Sequence, residues 1–409
     1  MSVLLLFSLC SCATKDNKTV ISYSAWGSEN EIKILKPLIR EFELENPDIK
    51  LNFIHIPKNY FQKLHLLLAS NLAPDVIFLN NINLPVYTAG DKLLNLSPYL
   101  NHDRTLFQSD FFPEAIESLK YKNKQYAIPR DISNIVIYYN KDLFDKYKVP
   151  YPDKNWDFNH FLAISSKLTR DNNNDGKIDI FGVGFEVNPI YWMPFLWSNS
   201  GGIINTQNGK IILNKNESIN SIQFYADLRG KHHVAPRINE AGSATMTQMF
   251  LQQKIAMQIS GRWSTPTYRK NADFHWDIAK FPRGKAGSVV SADCSGWAIS
   301  KSSKHKDKAW RFIKFLAEKK SMQKFTESGL IIPARKEVAY SEVFLDKNPP
   351  ENAEIFLEAI HNSVSTPVNE NYNEISDSIN SALEPVLNGS MPANEAINQF
   401  LLKKIEKIL

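Results

Sequence analysis

Apolar residues recur along the chain at two alternating periods. Thr19 to Trp26 alternates as a strand does, and Ser28-Glu29-Asn30-Glu31 then reads as a capping box, with Ser28 as N-cap and Glu31 at N3. Ile32, Leu35, Leu38, Ile39 and Phe42 follow at helical spacing; Pro47 ends that pattern, and Ile49, Leu51 and Phe53 alternate again. Strand, helix and strand in this order predict parallel pairing and an α/β fold. A further amphipathic stretch through Tyr60, Leu64 and Leu67 leads to Val76–Leu79, a short apolar run suited to a strand covered on both faces. The alternation continues through a strand at Ile135–Tyr139, a helix at Phe158–Leu168, a helix capped at Asn214 with Glu217 at N3, and a strand at Ile255–Ile259. Beyond Pro333 the pattern turns helical, through Ile355, Leu357 and Ile360, then Ile375, Ile379 and Leu383, then Ile397, Phe400, Leu401 and Ile405. This predicts a helical C-terminal section packed on one lobe. With no repeat or low-complexity linker between domains, they are expected to share several short crossovers.

Composition narrows the function. A chain of 409 residues holds two or three domains, and 43% hydrophobic with 22% charged residues is ordinary for a globular protein. The formal charge of +5 is spread without like-charge runs, which gives nucleic-acid binding no support. The aromatic share is generous, 24 Phe, 15 Tyr and 8 Trp, and these rings must fill a core or line a site. Neither a Gly-x-Gly-x-x-Gly loop nor a P-loop occurs, so no nucleotide cofactor is called for, and no Gly-x-Ser-x-Gly elbow supplies a nucleophile. His232 and His233 are adjacent and would diverge on a helix rather than share a metal. Asp171, Asn173, Asp175 and Asp179, with Gly176, match the start of a calcium loop, but Gly182 stands where a bidentate Glu belongs. A polar hairpin turn is the favoured reading there. Paired carboxylates leave a glycoside hydrolase as the enzyme alternative.

Val3–Leu9 is apolar but far shorter than the ~20 residues needed to span a bilayer. It reads as the core of a secretory signal, and Leu9-Cys10-Ser11-Cys12 resembles a bacterial lipobox with Cys12 as the lipid acceptor. Residues 1–18 are then signal and tether, and the protein is expected to be exported and membrane-anchored, on the cell surface or the periplasmic face. After processing only Cys294 would remain unmodified, so no disulfide framework is expected.

Several segments together carry a family resemblance: Ser24-Ala25-Trp26-Gly27, Ala73-Pro74-Asp75-Val76, Tyr126-Ala127-Ile128-Pro129, Tyr138-Tyr139-Asn140-Lys141-Asp142-Leu143-Phe144, Asn155-Trp156-Asp157-Phe158, Ser200-Gly201-Gly202, Lys254-Ile255-Ala256-Met257, Gly261-Arg262-Trp263 and Phe281-Pro282-Arg283-Gly284. In order and spacing they resemble the extracellular solute-binding proteins of family 1, carbohydrate receptors of ATP-driven importers. Gln253 and Phe158 depart from the pattern. The resemblance implies a two-lobe periplasmic-binding-protein-like fold of type II, with residues 19–130 plus 283–330 in the N-terminal lobe and 131–282 plus 331–409 in the C-terminal lobe. Crossings are expected near Pro129–Ile132, Lys280–Arg283 and Gly329–Pro333, and hinge closure over a ligand in the cleft.

It also implies a function: capture of a mono- or oligosaccharide and its delivery to membrane permease subunits, without covalent chemistry or cofactor. A receptor for a non-sugar solute such as a polyamine is the alternative. Sugar rings have apolar faces and polar edges, so such a cleft needs aromatic plates and hydrogen-bonding groups. Expected plates are Trp26, Tyr191, Trp192, Trp263 and Trp297, with Trp263 and Trp297 facing one sugar from opposite sides. Expected polar partners are Asn80, Asn81, Arg130, Asp131, Arg262 and Asp293. Trp156 and Trp310 are assigned to packing.

Overall fold

The computed structural model describes residues 18–205, 210–346 and 348–408. The expected signal segment and Cys12 lie outside the described residues. The strands that matter for the site are β1 (Thr19–Ala25), β2 (Ile49–His55), β3 (Val76–Asn80), β4 (Ala127–Ser133), β5 (Ile135–Asn140), β6 (Phe181–Gly184), β7 (Ile255–Gly261), β8 (Trp276–Ala279), β9 (Val290–Ser291), β10 (Asp293–Ile299), β11 (Ile332–Pro333) and β12 (Ser363–Val364). They form a six-stranded sheet in the order β11-β4-β10-β3-β1-β2, a four-stranded sheet β8-β5-β7-β6 and a two-stranded ribbon β9-β12.

Local sequence explains the opening unit. Ser28 Oγ accepts from the Glu31 amide and the Glu31 carboxylate accepts from the Ser28 amide, so the capping box forms and starts the helix Glu29–Glu45. That helix buries Leu35, Leu38 and Phe42, with Phe312 and Leu316 of the helix Lys306–Ala317 in the same core. Each such fully buried side chain contributes about 1.5–3 kcal/mol. β1 pairs parallel to β2 and β3 as the βαβ pattern requires, but β10 runs antiparallel between β3 and β4, so the sheet is mixed. The helix expected to be capped at Asn214 runs Asn216–Gly230 from Lys215, with no side-chain cap.

Asn134 alone separates β4, in the first sheet, from β5, in the second, so the first crossing falls just beyond the expected Pro129–Ile132. The second occupies the chain between β8 and β10. The third lies later than Gly329–Pro333, because Ile332 still pairs with Ile132 in the first sheet. The chain passes over through the helix Glu354–Ile360 and β12, whose pairing with β9 ties the second and third crossings side by side. The C-terminal helices then join the four-stranded sheet: Ile375, Ile379, Leu383, Ile397, Leu401 and Ile405 share a core with Ala256 and Ile259 of β7.

Candidate functional site

A cavity of about 210 Å³ opens where the two sheets face each other. Its walls include Trp26, Glu31, Arg130 and Asp131 from the first lobe and Arg262 and Trp263 from the second. Trp26 follows β1, and its half-buried ring packs on Phe78 at a centroid distance of 4.2 Å and on Tyr60 and Phe61 at 5.2 Å. Arg130 stands in β4 with its guanidinium 4.2 Å over Phe78; its Nε donates to Asp131 at 2.6 Å, and its Nη1 lies 3.4 Å from Glu31. Burial opposes its charge, but the carboxylates of Asp131 and Glu31 outweigh that and hold the guanidinium ionised.

Across the cavity, Arg262 and Trp263 form the turn that follows β7. Arg262 Nε donates to Gly329 O at 3.0 Å, and the guanidinium lies 4.4 Å from the Phe344 ring centre and 5.3 Å from that of Phe356. Among the described residues its two Nη atoms have no hydrogen-bond partner, and desolvation lowers its pKa to about 10. Trp263 is 37% exposed, against 0% for Trp297.

The cavity thus gathers Trp26, Arg130, Asp131, Arg262 and Trp263 from the expected set, and excludes the others. Trp297 is a correction: it lies on a strand covered on both faces, donates Nε1 to Tyr23 Oη at 3.2 Å, and packs on Phe78 and Phe325. Asn80 turns back on its own chain, its Oδ1 accepting from the amide and side chain of Asn83. Asn81 and Asp293 are buried and bonded to each other at 2.9 Å, and Asp293 also accepts from the Thr366 amide and hydroxyl. Tyr191 and Trp192 belong to the second core; burial pushes the Tyr191 phenol up to about 12, and Trp192 borders a separate cavity with Asn380, Leu383 and Glu384. Trp156 and Trp310 are buried packing residues.

Glu31 and Ser295 line the cavity and were not expected there. Glu31 was visible in the sequence only as a cap, and the same turn delivers its carboxylate to Arg130. In the loop 171–179, Asp171 accepts from the Asp175 and Gly176 amides, Asp175 from Lys177 and Asp179 from Asn172, so the carboxylates hold a turn. No group of three or more His, Cys, Asp or Glu placed to hold a metal occurs among the described residues.

The profile of the bacterial extracellular solute-binding proteins matches residues 26–323. A substrate-binding protein of an ABC transporter from Listeria monocytogenes, solved in complex with cycloalternan, is 29% identical. The match covers 96% of this chain and 99% of that one, with a TM-score of 0.87. The galactooligosaccharide-binding protein of Bacillus subtilis is 25% identical, over 96% of this chain and 92% of its own. The maltose/maltodextrin-binding domain from Bdellovibrio bacteriovorus, bound to maltotriose, shares the fold at a TM-score of 0.81 and 21% identity, over 95% of this chain and all of that one.

Proposed function

We propose, since the chain belongs to the family of bacterial extracellular solute-binding proteins, that it is the sugar receptor of an ATP-driven importer. It takes a mono- or oligosaccharide into the cavity between its lobes and closes over it about the paired crossings β9 and β12. The observation that carries this reading is the cavity wall itself, with an indole on each lobe, Trp26 and Trp263, and the charged groups of Glu31, Arg130 and Asp131 in the same wall. An indole face takes the apolar face of a pyranose while Arg130, Asp131 and Glu31 address hydroxyls at its edge.

Two carboxylates line the cavity, as a glycosidase would need, but Arg130 engages both Glu31 and Asp131. A polyamine receptor is disfavoured by the two arginines in the wall. The receptor works outside the cytoplasm, passes its sugar to permease subunits in the membrane, and is tethered through lipidated Cys12. No helix among the described residues is long and apolar enough to cross a membrane.

A thermal-shift screen over maltotriose, galactooligosaccharides, cyclic glucans, monosaccharides and polyamines tests the reading, because a ligand that binds only the folded form raises the melting temperature. A shift with one class of sugar is expected. A shift with spermidine and with no sugar would overturn it, as would release of reducing sugar by the pure protein.

A further inference from the structure

Gly261 ends β7 in a fully buried position, with φ −108° and ψ −178°. Any residue can adopt that backbone, so conformation gives no reason for a glycine there. The reason lies in what a side chain would meet. A Cβ placed on Gly261 would lie no more than 2.5 Å from each of Cζ3, Cη2 and Cε3 of Trp263, against about 3.5–4.0 Å for ordinary carbon contact. The indole is folded back over the strand end, one side against the Gly261 backbone.

The turn itself is pinned from several directions. Tyr138 Oη donates to Gly261 O at 2.9 Å, Arg262 Nε donates to Gly329 O at 3.0 Å, and the hydroxyls of Ser260 and Ser264 bond at 2.7 Å. If a side chain were added at 261, the half-exposed ring would yield before the buried turn.

We infer that Gly261 is the positioning residue of Trp263: its missing side chain is a seat that fixes the indole at one angle in the cavity wall before ligand arrives. A ring already held loses little rotamer freedom on binding, and its fixed angle selects which sugar face can stack on it. The ligand half of this inference rests on the receptor reading above, whereas the seating rests on the geometry alone.

The test uses four full-length proteins: wild type, G261A, W263A and the double variant. Without ligand, G261A should lower the melting temperature in the presence of Trp263 and hardly at all in its absence, because the atoms it clashes with are gone. Acrylamide quenching of tryptophan fluorescence should rise in G261A and not in the double variant relative to W263A. Additive melting shifts with unchanged quenching would overturn the seat.

Titration with whichever of maltotriose or galactooligosaccharide shifts melting in the screen then reads the ligand half. G261A and W263A should each weaken binding about tenfold, with no further loss when combined. Coupled melting and quenching with sugar affinity equal in all four proteins would keep the seat and overturn its service to the ligand.

Discussion

Asn81 donates its side-chain amide to Asp293 at 2.9 Å, tying the end of β3 to the start of β10 beside the ribbon where two crossings meet. Thr366, just past β12, donates to the same carboxylate through its amide and hydroxyl, and the Cys294 amide donates back to Asn81. The carboxylate is therefore a junction between the first lobe and two crossing segments rather than a ligand contact.

That junction titrates. Burial raises the Asp293 carboxyl above its ordinary value, with the bonds from Asn81 and Thr366 opposing but not cancelling the shift. For an acid whose folded pKa lies above its unfolded one, the stabilising contribution is complete below the unfolded value. It is lost as pH rises through the folded value. From about pH 4 upward, the wild type should therefore lose stability relative to D293N, as read by denaturant midpoints of both proteins. A gap that runs the other way would show that the donors outweigh burial.

Periodicity made the two α/β bodies legible, because strand and helix periods alternate from Thr19 to Ile259 and faces such as Leu35, Leu38 and Phe42 or Phe161 and Leu168 are the buried ones. The candidate site was legible in part where a polar or aromatic residue follows a strand, as Trp26 and Arg262-Trp263 do, and in part through Arg130 and Asp131 at the expected first crossing. Asn81 and Asp293 are polar residues at similar strand ends, and Trp297 is an aromatic residue inside β10. Their burial depends on β3 and β4 pairing along both edges of β10 and on helices lying over its faces, relationships that no local pattern encodes.

Trp297 is the sharpest case, and it predicts a stability phenotype. With its ring fully buried between Phe78 and Phe325, Trp297→Ala should cost about 3–5 kcal/mol of folding stability. Sugar affinity measured well below the melting transition should stay near the wild-type value. Calorimetric unfolding beside a binding titration checks both; a stable variant with lost binding would return Trp297 to the cleft.

Arg130 and Asp131 predict a coupling. Their side chains are 11% and 6% exposed, and the Nε to carboxylate distance is 2.6 Å. Asp131→Ala leaves the guanidinium with Glu31 alone, at 3.4 Å, and should cost about 3 kcal/mol, the usual order for one removed partner of a buried pair. Removing the charge as well, in R130M/D131A, should cost less than the sum of the single changes. Additive losses in urea unfolding would mean that the pair contributes no specific stability.

The two indoles of the cavity are predicted to separate under the same substitution. Stacking a sugar face on an indole removes on the order of 60 Å² of apolar surface from water, roughly 1.5 kcal/mol or about tenfold in affinity. Trp263 is 37% exposed and contributes little to either core, so Trp263→Ala should weaken sugar binding about tenfold while shifting the melting temperature only slightly. Trp26 packs against Phe78, Tyr60 and Phe61, so Trp26→Ala should weaken binding to a similar degree and also lose a few kcal/mol of stability, below the ~3–5 kcal/mol of a fully buried Trp. Measured side by side, the ratio of affinity loss to melting shift should be clearly larger for Trp263. Equal ratios would mean that the two rings play the same part, and an affinity untouched by Trp263→Ala would remove the second lobe's plate from the site.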